Sequence, residues 1–317
     1  MDYLKDIVIT TGISLVLAMV LGPVVIPMLR RLKVGQSVRE DGPETHLKKS
    51  GTPTIGGVIM LLALIISMVL TGNTSKVGVL FASTLGFGFI GFVDDFIKVV
   101  LKRSLGLRAY QKIIGQVGLA VGMSIYFLNT VGSEVIVPFT GKTVDLGMLF
   151  VPFLTVVIVA TVNSANLTDG LDGLASSVTA VMLITFMLIA IRFQQNEVAV
   201  FAGALAGACI GFLSHNLHPA KVFMGDTGSM ALGGGVVAVA LSLNLSLLIP
   251  IACGLYFAEA ISVIVQVVSF KTRGKRVLLM APLHHHYEKK GWKETEVVMR
   301  FFIFTVMLCT VGFLSVI

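Results

Sequence analysis

Charge is what this sequence has little of. Asp, Glu, Lys and Arg make up 13% of its 317 residues, about half the roughly 25% of an ordinary soluble domain. With 55% hydrophobic residues and a mean hydropathy of +0.92, that shortage points away from a soluble protein. A soluble core would have to bury every long apolar run. Here many runs reach the ~20 residues that cross a bilayer. Cysteine is also scarce. Cys209, Cys253 and Cys309 lie in apolar runs with no regular spacing, which excludes a disulfide framework and a cysteine zinc site. The opening Met1-Asp2-Tyr3-Leu4-Lys5-Asp6 has no basic leader before the first apolar run. That run is long, so it reads as a retained span and not a cleaved signal. There is no fixed-period repeat, no low-complexity tail and no shift in composition. One polytopic membrane domain over 1–317 is expected.

Ten spans are predicted, at 7–29, 54–71, 77–97, 112–129, 147–164, 174–191, 197–214, 229–244, 246–268 and 301–317. The expected fold is therefore an all-α integral membrane protein of about ten transmembrane helices. Lys and Arg alternate sharply between the intervening loops. All but Lys5, Lys76, Lys142 and Arg192 fall on one side. Positive loops stay cytoplasmic, so both termini are expected to be extracytoplasmic. The net charge of +7 then belongs to membrane-facing loops and does not call for nucleic acid. Glycine-rich stretches at 203–211 and 233–235 suit close helix packing in lipid.

The polar residues that remain converge on the same side. Asp94 and Asp95 stand together in GFGFIGFVDDFIKVV, at the end of the third span. A charge in hydrocarbon costs roughly 2.5–3.5 kcal/mol on insertion scales, so an acidic pair there marks a functional site. Lys98 lies four residues beyond Asp94, at ion-pair spacing. Asn163, Asn166, Asp169 and Asp172 lie in NSANLTDGLDG, where Gly170 and Gly173 let the backbone turn closely around a ligand. Asp226 lies in KVFMGDTGS and could add a carboxylate to a cation held by Asp94 or Asp95. His284, His285 and His286 lie in APLHHHYEKKGW, beside Lys289 and Lys290. Three consecutive His point in different directions, which argues against a tetrahedral zinc site and for contacts with phosphate oxygens. Glu259, inside the ninth span, has no assigned chemistry. Two apparent motifs fail on context. GFGFIG (86–91) lies within a span, and GKT (141–143) lacks the glycine a phosphate loop needs. Carboxylates, His and many Lys and Arg at headgroup level suit metal-assisted phosphoryl transfer from a soluble donor to a lipid. A transporter would place its ionisable groups nearer the midplane.

GFVDDFIKV, NLTDGLDGLA, KVFMGDTGS and PLHHHYEKKGW, with SGTPTIGG at 50–57, resemble the polyprenyl-phosphate N-acetylhexosamine-1-phosphate transferases over nearly the whole chain. The uninterrupted His triplet followed by Tyr-Glu resembles the branch whose donor is UDP-N-acetylmuramoyl-pentapeptide. A sibling enzyme using UDP-N-acetylglucosamine is the nearest alternative. The resemblance implies an undecaprenyl phosphate acceptor, Mg²⁺ as cofactor, and an active-site cleft facing the cytoplasm. It allows for a homodimer. It also implies roles by motif position. Asp94 would be a base toward the lipid phosphate, Asp95 would serve the metal and diphosphate region, and Asp226 would be a metal ligand. Asn166, Asp169, Asp172, Asn216 and Phe223 would surround the uridine. His284 would act in catalysis, and with His285 and His286 would contact the diphosphate or sugar. Lys98 would bind substrate, and Lys48 and Lys49 would approach the nucleotide. At neutral pH a phosphate monoester, with a second pKa near 6, is already largely deprotonated, so Asp94 could equally orient the metal.

Overall fold

A computed structural model describes residues 2–31, 51–74, 77–99 and 106–317. Among the described residues the main helices are α1 (Asp2–Arg31), α2 (Gly57–Leu70), α3 (Gly78–Val99), α4 (Ala109–Thr130), α5 (Phe150–Thr168), α6 (Leu174–Arg192), α7 (Asn196–Asn216), α8 (Gly225–Ser242), α9 (Gly254–Arg273), α10 (Leu283–Lys289) and α11 (Glu294–Leu314). Ten of them lie where spans are predicted, and the seven-residue α10 is additional. Among the described residues, eight helices are long and apolar enough to cross a membrane: α1, α3 to α7, α9 and α11. Exposed Val8, Val20 and Val24 on α1, Ile264 and Val268 on α9, and Ile303 and Met307 on α11 form the apolar exterior that lipid would cover.

α2 and α8 fall outside those eight, for physical reasons. The 14 residues of α2 rise about 21 Å, less than the ~30 Å hydrocarbon core. α8 is diluted by Gly225, Gly228, Gly233, Gly234 and Gly235. It is nonetheless buried on every side from Thr227 to Leu241, because its glycines admit its neighbours. A Cβ on Gly233 would lie 2.7 Å from Val162 of α5, one on Gly234 2.7 Å from Phe87 of α3, and one on Gly235 2.5 Å from Leu205 of α7. α8 is thus the hub of the bundle. The other glycine run packs as its spacing suggests. Cβ atoms on Gly207 and Gly211 would lie 2.3 and 2.2 Å from the Thr11 and Leu15 carbonyls of α1.

The fold is mostly helical, as expected, and one expected span is corrected. Beside the helices stands a short β element. Glu134–Val137 (β1) and Lys142–Asp145 (β2) form an antiparallel hairpin, with Val135 opposite Val144. Phe139 and Gly141 take left-handed φ of 66° and 62° in its turn. Gly141-Lys142-Thr143 therefore belongs to a hairpin and not to a phosphate loop. The span expected at 246–268 is broken. A 3-10 turn at Ser246–Leu248 and a short helical turn at Ile249–Ala252, with Pro250 in its first turn, precede α9. α9 itself runs on to Arg273, where Gly274 closes it with φ 65°.

Candidate active site

The site begins where α3 crosses the start of α8. A Cβ on Gly91 would lie 2.1 Å from the Asp226 carbonyl, and one on Gly57 2.2 Å from the Gly228 Cα. Only glycine at these crossings lets α2, α3 and the first turn of α8 come so close. That contact places Asp94 and Asp95, one helical turn beyond Gly91, beside Asp226.

The two adjacent aspartates then diverge, as neighbours about 100° apart on a helix must. Asp95 is buried beneath α8. Its Oδ1 accepts from the Asp226 N–H at 3.2 Å, and its Oδ2 accepts from the Thr227 N–H at 2.8 Å and the Thr227 hydroxyl at 2.6 Å. α8 has no capping side chain of its own, so a carboxylate from α3 satisfies its first amides and meets the positive end of its dipole. Asp94 faces the cations instead. Its Oδ2 is 2.6 Å from Lys98 Nζ and its Oδ1 accepts from the Leu107 N–H at 2.7 Å. Gly106, at φ 59°, folds the chain over it. Asp226 Oδ2 is 2.9 Å from both Lys98 Nζ and Lys112 Nζ. Its Oδ1 accepts from Asn166 Nδ2 at 2.8 Å, and the same amide nitrogen reaches Ser229 Oγ at 2.8 Å. Lys112 also donates to Asn166 Oδ1 at 3.3 Å. The carboxylates of Asp94 and Asp226 therefore converge on one cation, the Lys98 ammonium.

The 169–173 loop forms the next wall. Burial, then the negative charges of Asp226, Asp95 and Asp172, push Asp169 up to about 8. The Asp172 N–H donates to Glu294 Oε1 at 2.7 Å. Its Oδ2 accepts from Ala220 N–H at 3.0 Å and lies 3.1 Å from His218 Nδ1. Asn216 is a brace: its Oδ1 accepts from Gly173 N–H and Ser176 Oγ, both at 3.2 Å, and its Nδ2 donates to the Val222 carbonyl at 3.0 Å. Gly173, at φ 78°, needs its left-handed turn. Gly170 does not. Its φ lies outside the left-handed region, and its glycine answers a different constraint. A Cβ there would lie 2.1 Å from His284 Nε2.

The three histidines separate within α10. His284 is sealed, with Nδ1 3.0 Å from Glu259 Oε1, so Glu259 finds its partner in the loop before α11. His285 Nδ1 is 2.8 Å from Glu288 Oε2. His286 Nδ1 accepts from the Leu279 N–H at 3.1 Å, which leaves the proton of the neutral ring on Nε2. Burial and Lys290 hold its pKa below the usual value. Phe223 is half-buried, and its backbone pairs with Pro53 and Gly56. Lys48 and Lys49 lie outside the described residues. One network therefore joins Asp94, Lys98, Asn166 and Asp226. Among the other predicted and described residues, Asp95 lies beneath α8, Asp169, Asp172 and Asn216 at the 169–173 loop, Phe223 just before α8, and the histidines on α10. Sequence reading missed Lys112, Thr227, Ser229, His218 and Glu294. Lys112 carried a signal, as a cation in the first turn of a helix on the basic side, but was counted only toward orientation.

A bundle of apolar helices that gathers carboxylates and ammoniums around one helix N-terminus, with imidazoles on a separate short helix, defines a polar site of the kind phospho-group transfer requires. The sequence profile of glycosyl transferase family 4 matches residues 77–244, which takes in Asp94, Asp95, the 163–173 loop and Asp226. A phospho-N-acetylmuramoyl-pentapeptide-transferase of Alkaliphilus metalliredigens (strain QYMF) is 54% identical over 98% of each chain. The protein of that name from Clostridioides difficile (strain 630) is 51% identical over 99% of this chain and 98% of its own. One from Acetivibrio thermocellus is 50% identical over 96% and 93%. The chain belongs to glycosyl transferase family 4, among the phospho-N-acetylmuramoyl-pentapeptide-transferases.

Proposed function

We propose that this chain transfers phospho-N-acetylmuramoyl-pentapeptide from its UDP-activated donor to undecaprenyl phosphate, forming lipid I and releasing UMP. It would do so as a multi-pass protein of the bacterial cytoplasmic membrane, with the site facing the cytoplasm. The observation that carries the reading is the convergence of Asp94 and Asp226 on one cation, beside Lys112 and Asn166, in a chain about half identical to transferases of that name. An oxygen of the lipid phosphate attacks the sugar-linked phosphorus. The bond from that phosphorus to the bridging oxygen breaks, and UMP leaves with the electron pair. One diphosphate replaces another, so the chain's task is positioning and charge neutralisation.

Lys98 and Lys112 would hold phosphate oxygens, since both already neutralise carboxylates at the site. Asn166 would keep Asp226 in register. Asp94 accepts from an ammonium and a backbone amide, which supports orienting cation and phosphate over removing a proton. Asp95, bonded to the α8 amides, would fix where Asp226 stands. Asp169, Asp172, Asn216 and Phe223 would form the uridine wall, with Lys48 and Lys49 nearby. His284, His285 and His286 would face the diphosphate and sugar side.

The residues fit Mg²⁺. It is usually held by one or two carboxylates with substrate phosphates, and Asp94 and Asp226 already share one cation. Asp226 and Asp94 would hold it, with Asp95 behind them, and it would supply charge neutralisation on the diphosphate. The test is UMP release by the purified protein in detergent with undecaprenyl phosphate and Mg²⁺. Release with UDP-N-acetylmuramoyl-pentapeptide, abolished by chelator, is expected. Release with UDP-N-acetylglucosamine alone would change the donor. Release with neither donor, from folded protein, would overturn the reading.

A further inference from the structure

Glu259 is a carboxylate with zero exposure on a membrane-spanning helix, six residues into α9, and nothing in the transfer above uses it. An isolated buried carboxylate is heavily disfavoured, so its partner defines its purpose. Among the described residues, its side-chain hydrogen bonds lead to one residue. Oε1 lies 3.0 Å from His284 Nδ1, and Oε2 is 3.4 Å from the His284 backbone nitrogen. His284 is equally sealed, yet its Nε2 has no hydrogen-bond partner among the described residues. That nitrogen presses on Gly170, at the root of the 169–173 loop. Gly170 lacks a side chain at a place where its backbone conformation would tolerate one. One ring nitrogen is thus held by an acidic oxygen, and the other is kept open against the loop by the loss of a Cβ. A merely structural histidine would have both nitrogens satisfied.

We propose that Glu259 is a positioning residue for the transfer. It keeps the proton of His284 on Nδ1 and so presents Nε2, under Gly170, to a polar group that arrives with the nucleotide sugar. This rests on the function proposed above. A carboxylate behind an imidazole fixes both ring orientation and tautomer. Here the pair comes from α9 and α10, and the open nitrogen faces the α5–α6 loop, so the couple ties three elements to one protonation state.

The experiment combines histidine ¹⁵N chemical shifts of the full chain in detergent with steady-state UMP release. His284→Asn assigns the resonances by their loss. In the wild type, Nδ1 is expected to show the protonated shift and Nε2 the unprotonated one. Glu259→Gln removes the charge that dictates this pattern. It is expected to scramble the pattern and lower kcat about tenfold or more, with KM for the donor changed less than about threefold. Glu259→Asp should restore part of both. Gly170→Ala displaces the ring without touching Glu259, and should lower kcat while Nδ1 stays protonated. A role in folding alone would lower the melting temperature and leave the Glu259→Gln shifts and kcat as in the wild type, which overturns the proposal. So does a wild type whose Nδ1 is unprotonated. Should the wild type release no UMP at all, the functional reading fails, while the ¹⁵N pattern still decides the tautomer.

Discussion

The Asp226 network and the Glu259–His284 couple both abut the end of α5, and both bury carboxylates, but they partner them differently. In the network one oxygen of Asp226 is shared by two ammoniums, and Lys98 is shared by two carboxylates. Its members reach the surface: the side chains of Lys98 and Asp226 are 36% and 19% exposed. In the couple one carboxylate meets one imidazole, with side-chain exposures of 0% and 1%. Shared, partly hydrated contacts can be traded for substrate phosphates without stranding a charge. A sealed one-to-one contact cannot be traded, because breaking it leaves a buried ion unpaired. The first arrangement suits groups that bind. The second suits a group that holds another in place.

Substitutions can break that contrast, and the largest effect belongs to the network's centre. Asp226→Asn keeps the shape and removes the charge that Lys98 and Lys112 share. Transfer should fall by about 10²–10³ in kcat, the size of losing a main electrostatic group at a reacting centre. Near-normal turnover would remove Asp226 from the chemistry. Asp95→Ala comes next and should act differently. It strips the acceptor from the Asp226 and Thr227 amides, costing about 1–3 kcal/mol of stability. A lowered melting temperature in detergent would report it; an unchanged one would show that water replaces the carboxylate. Lys112→Met is smaller again, because Lys98 still neutralises Asp226. Donor KM should rise about tenfold, the lower end for one hydrogen bond to a charged group, with kcat less affected. A pure kcat effect would instead assign Lys112 to the transition state.

Much of this was legible in the chain. The spans were readable because apolar runs near twenty residues have few other uses, and the polar loops because charge is so rare between them. α2 and α8 matched in position, although α8 is held by glycine packing that hydropathy undervalues. The hairpin escaped because Glu134–Val137 and Lys142–Asp145 are short and sit in a loop that charge bias alone described. At the site the residue types were visible and their division of labour was not. Asp94 and Asp95 are identical in sequence terms. Only the 100° step on α3, met by the amides of α8, gives one to a helix end and the other to the cations. Gly170 was read as backbone freedom, when the His284 ring, over a hundred residues away, is what excludes its side chain. Glu294 and His218 had no local signal, since their meaning lies in Asp172.

The smallest predicted effect concerns Asp169, which stands between the two regions. Burial raises it first, and the charges of Asp226, Asp95 and Asp172 raise it further, to about 8 against an ordinary 3.8. The sign follows from proton counting. Between about pH 4 and pH 8 the folded chain keeps a proton that the unfolded chain has released, so stability declines as pH rises through that window and levels off above it. Asp169 is only half-buried, so solvent screens much of the effect, and the slope should be shallow. Melting in detergent from pH 5 to pH 8.5 should show the wild type losing more than Asp169→Asn, whose side chain does not titrate. Asp226→Asn should flatten the slope in part, because it removes the largest charge contribution and leaves burial in place. Equal slopes in the wild type and Asp169→Asn would mean that Asp169 is ionised at neutral pH. The carboxylates around it would then be neutralised together by Lys98 and Lys112, and the network would extend one residue further than its hydrogen bonds reach.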